Sequence, residues 1–84
     1  MQESDFYEVA EEFINFANEL SEEWAHPFLS AVFMYSAARF NAHNFHLTDG
    51  DPEKEQQAIE YYTNQYRKML AENIKELRPS DEAA

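Results

Sequence analysis

Apolar residues recur along this chain at three- and four-residue steps, the period of a helix with one buried face. In the first segment Phe6, Val9, Ala10, Phe13, Phe16, Ala17 and Leu20 make one such stripe. Ser4 stands where an N-cap would accept from the exposed amides, and Asp5 and Glu8 place negative charge at the positive end of the helix dipole. The spacing predicts a first helix over about residues 5–22. Pro27 suits the first turn of a second helix and pushes His26 toward extended geometry, so the break is read between Glu22 and His26.

The second helix, predicted over about residues 27–47, has no polar side. Leu29, Phe33, Phe40 and Leu47 fall on one ridge, while Ala31, Met34, Tyr35, Ala38, Ala42 and Phe45 fall roughly opposite. A helix that is apolar on two sides calls for neighbours on both. The cluster Thr48-Asp49-Gly50-Asp51-Pro52 then reads as a helix stop followed by a new start, with Asp51 as cap and Pro52 in the first turn. A third helix follows over about residues 52–78, carrying Ile59, Tyr62, Tyr66, Met69, Leu70, Asn73, Ile74 and Leu77 on one stripe and ending before Pro79. Residues 80–84 read as a frayed tail.

Strand signals, internal repeats and low-complexity segments are all missing, so the predicted architecture is all-α. The 84 residues form one helical domain, a three-helix antiparallel bundle around the second helix. A chain this short buries only about 60–65% of its unfolded surface. With no cysteine there is no disulfide to reinforce the core. Thirteen aromatics, from one Trp, five Tyr and seven Phe, are many for so short a chain; the first and third helices covering both sides of the second is one way to enclose them, and closure against a second copy is the favoured one. Completion of the bundle by homodimerisation is therefore expected.

Charge changes the picture next. Seventeen acids against six bases give a net charge of −11, which repels phosphate backbones and anionic lipid surfaces. Neither nucleic acid nor membrane is an expected partner. The longest apolar run, from Pro27 to Ala38, is well short of the roughly 20 residues that span a bilayer. The acidic start, Met1-Gln2-Glu3-Ser4-Asp5, is unlike a secretory signal, and with the lack of cysteine it points to the cytoplasm. Residues 1–23 hold eight acids and no base, residues 24–48 hold Arg39 as their single formal charge, and residues 49–84 mix nine acids with five bases. Any protein partner of the first segment would present a basic patch, with binding that weakens as salt rises.

Few positions carry candidate chemistry. Asn73 interrupts the third stripe, where an unpaired buried amide would cost about 1–3 kcal/mol. A structural role, bonding a backbone carbonyl or a neighbouring side chain and fixing register, takes precedence over ligand binding. Asn15 and Asn18 lie away from the first stripe, on a face read as solvated. Arg39 requires an acid, a carbonyl or water, with Glu72 or the first helix's glutamates as expected partners; a carboxylate or phosphate ligand is the rival reading. His43, His46 and Asp49 follow one another at three-residue steps, and Glu23-x-x-His26 resembles one element of di-iron bundles. The first set implies no fourth ligand and the second is broken by Pro27, so no metal and no cofactor is expected. There is no cysteine nucleophile, no serine at a strand-to-helix elbow and no Gly-rich phosphate loop. Catalysis is not expected.

Three ordered blocks carry a family likeness. Phe13-Ile14-Asn15-x-Ala17-Asn18, then Ala37-Ala38-Arg39-Phe40-Asn41-Ala42, then Glu60-Tyr61-Tyr62-x-x-Gln65-Tyr66-x-x-Met69-Leu70-x-Glu72-Asn73 together resemble a family of short, acidic, all-helical proteobacterial proteins, a domain of unknown function. The likeness runs from about Asp5 to Ile74, and the stretch with His43 and His46 carries less of it. It implies a cytoplasmic bacterial protein and no activity, and it draws attention to Asn15, Asn18, Arg39, Asn41, Gln65 and Asn73 as binding positions. The leading reading is a non-catalytic protein-interaction module that self-associates. The alternative is a small-molecule or metal-binding protein with a site around Arg39, Asn41 and Asn73.

Overall fold

The computed structural model describes residues 2–79. Among these there are three α-helices and no strand: α1 (Glu3–Leu20), α2 (His26–Thr48) and α3 (Glu55–Glu76), with a single 3-10 turn at Pro52–Lys54 leading into α3. The frayed tail assigned to residues 80–84 lies outside the described residues. The chain divides into two units, Met1–His43 and Asn44–Ala84.

In the first unit, α1 starts two residues earlier than the sequence pattern suggests, and Gln2 rather than Ser4 is its N-cap. The reason is a local hydrogen-bond exchange. The Gln2 amide donates to the Asp5 carboxylate at 3.1 Å, and the Asp5 amide donates to the Gln2 carbonyl at 3.0 Å. Asp5 thereby serves from the third helical position, and Ser4 is drawn into the first turn. Glu3 and Asp5 both sit in that turn, where the helix dipole favours negative charge. At the other end α1 stops at Leu20, two residues short of the predicted bound. Ser21 Oγ donates to the Asn18 carbonyl at 2.6 Å, and Glu23 and Trp24 both donate to the Leu20 carbonyl at 3.0 Å, so turns carry the chain on to α2. The indole of Trp24 stacks at a tilt on Phe28, ring centroids 5.3 Å apart, across the start of α2.

His26 is the first residue of α2 and Pro27 the second, a correction to the extended His26 read from the sequence. The Leu29 amide bonds the Ala25 carbonyl at 3.0 Å, so the helical ladder begins one residue before His26 and takes it in. The amide that Pro27 lacks is one of the four that have no intrahelical acceptor in any case. Leu29 is the one buried residue among those described, 8% exposed.

The second unit contains the end of α2, the turn and α3. The Asp49 and Gly50 amides converge on the Phe45 carbonyl, each at 2.9 Å, and Gly50 then takes a left-handed φ of 70° that turns the chain off the helix. A Cβ on Gly50 would stand 3.3 Å from the His46 carbonyl oxygen. Asp51 caps the next element as its residue type suggests: its side chain accepts from the Glu53 amide at 3.0 Å. The first turn is tighter than α, because the Lys54 amide bonds the Asp51 carbonyl at 2.8 Å, three residues back. Helix 52–78 is thus corrected to a 3-10 turn followed by α3, which ends at Glu76. The Leu77 amide still reaches the Asn73 carbonyl at 2.9 Å, and Pro79 bars continuation of the ladder. An exposed ion pair joins Lys54 Nζ to Asp49 at 3.6 Å across the turn and contributes a few tenths of a kcal/mol at most.

Two substitutions test this turn. Gly50→Ala forces an L side chain into the left-handed region and is expected to lower stability by roughly 1–2 kcal/mol, with Gly50→Asn losing less. Asp51→Ala removes the cap and is expected to lower it by about 1 kcal/mol, while Asp51→Ser retains most of it. Urea unfolding followed by circular dichroism reads both; a G50A protein as stable as the parent would contradict the strained-turn account.

Candidate functional site

The residues with chemistry to offer are best followed outward from α2, whose only formal charge is Arg39. Tyr35, Arg39 and His43 are spaced at four-residue steps, which puts them on one face of the helix. With Ser36, Phe40 and Ala42 they line a shallow depression that stands open to solvent. An Arg39 guanidinium nitrogen donates to the Tyr35 hydroxyl at 3.4 Å, a long bond. Among the described residues the one ion pair is Lys54 to Asp49, so within the first unit Arg39 is not paired with the glutamates of α1. The guanidinium, phenol and imidazole together form a donor-rich strip bordered by an aromatic ring, suited to a carboxylate or carbonyl group rather than to an enclosed ligand.

The remaining sequence candidates are placed as follows. Asn15 and Asn18 are exposed on α1, and Asn41 is half-buried on α2 without lining the depression. In the second unit Gln65 and Asn73 are exposed on α3. The Asn73 amide donates to the Met69 carbonyl at 2.8 Å, one turn back on its own helix. A backbone carbonyl is thus its partner, but the buried setting read from the stripe is corrected to an exposed one. Neighbouring apolar positions, Met69, Leu70 and Ile74, are exposed too, so Asn73 follows the face on which it lies. Among the described residues no three His, Cys, Asp or Glu side chains are grouped to hold a metal ion.

Two features escaped the sequence reading. The four-residue spacing of Tyr35, Arg39 and His43 is itself a signal in the sequence that the three share a helix face. Asn44 carries no such signal. Its amide donates to the Tyr62 hydroxyl at 3.3 Å, 18 residues away, and ties the end of α2 to α3 within the second unit. No local pattern marks such a pair, because it depends on the direction in which the turn sends α3.

Asn73 yields a direct test. An exposed amide that satisfies only its own helix is worth little, and Ala is the better helix former by about 0.7 kcal/mol. Asn73→Ala is expected to leave stability unchanged or slightly raised, within about 0.5 kcal/mol. A loss above about 2 kcal/mol in chemical denaturation would return Asn73 to the register-fixing role.

No helix among the described residues is long and apolar enough to cross a membrane. No curated protein and no solved structure matches the chain. A family model does: that of "Protein of unknown function (DUF3144)" matches residues 6–77, most of the sequence, and the chain belongs to that family.

Proposed function

We propose that this protein is a non-catalytic protein-interaction module that self-associates as a homodimer in the bacterial cytoplasm, with its helices closing as an antiparallel bundle around α2. One observation carries the reading: each unit by itself leaves its apolar stripes uncovered. Phe6, Phe13 and Phe16 on α1, Phe40 on α2 at 71% exposure, and Leu77 after α3 at 78% all face solvent. Exposed apolar patches of this extent are rare on stable monomers and mark surfaces that associate. Burial is worth roughly 25 cal/mol per Å² of apolar surface removed from water, so covering several aromatic rings adds several kcal/mol to the stability of a small chain. The acidic, base-free α1 favours a protein partner with a basic patch once the aromatic faces are closed.

The alternative, a small-molecule or metal site around Arg39, Asn41 and Asn73, has the open depression at Arg39 in its favour. It has less support, since Asn41 does not line that depression and one Asn73 donor is already engaged by Met69.

The experiment is solution mass by light scattering across a dilution series, with helicity followed in parallel. Twice the 9.9 kDa chain mass, persisting on dilution into the low micromolar range, is the expected outcome. A helical monomer at every concentration would overturn self-association.

A further inference from the structure

We draw no further inference here: the strongest candidate, the aromatic face of α1 formed by Phe6, Val9, Phe13 and Phe16 with Glu8 and Glu12 on the same base-free helix, is an unpartnered apolar face, and nothing in the structure shows what covers it.

Discussion

Removal of apolar surface from water is the interaction on which everything else in this chain depends. Helices of 18, 23 and 22 residues are long enough to form, yet in water their stability comes mainly from packing an apolar face rather than from propensity. The local devices found here are modest beside that requirement. A Gln2–Asp5 exchange, an Asp51 cap, a left-handed Gly50 and one exposed ion pair each contribute between a few tenths and about 2 kcal/mol. They set where helices begin and end. Aromatic and aliphatic burial has to do the rest, and Leu29 alone among the described residues is buried.

That imbalance also governs the chemistry. An enclosed ligand site brings a few convergent polar groups together in a concave, largely apolar setting. Arg39 has instead a long bond to a phenol on an open helix face. The Asn15, Asn18 and Gln65 side chains face solvent. What the surface offers is contact: aromatic rings for area, acids on α1 for charge, and amides for adaptable hydrogen bonds.

Much of the local structure was legible in the residues themselves. Apolar residues at helical period, the Gly50-Asp51-Pro52 cluster and Pro79 identify three helices and their breaks, because capping, left-handed φ and the missing proline amide are properties of single residues and their nearest neighbours. The bounds that moved did so through competing local bonds. Asp5 reaching back to Gln2 displaced Ser4 as cap, and the Leu29 bond to Ala25 drew His26 into α2. Both are choices among donors and acceptors of similar strength, which residue type does not rank.

Sequence alone therefore determined the helical class, the order of the helices and the turn at Gly50, since each follows from periodicity and backbone preference over a few residues. Only the tertiary structure decided which positions are exposed and which side chains meet. Periodicity shows that a face is apolar but not whether anything lies against it, so the spacing implies a buried Asn73 where the side chain is exposed and bonds the Met69 carbonyl. The Asn44 to Tyr62 bond likewise spans 18 residues, and the physical reason it could not be read in advance is geometric. Contact across a turn depends on the angle at which the chain leaves it, which no spacing along the sequence encodes.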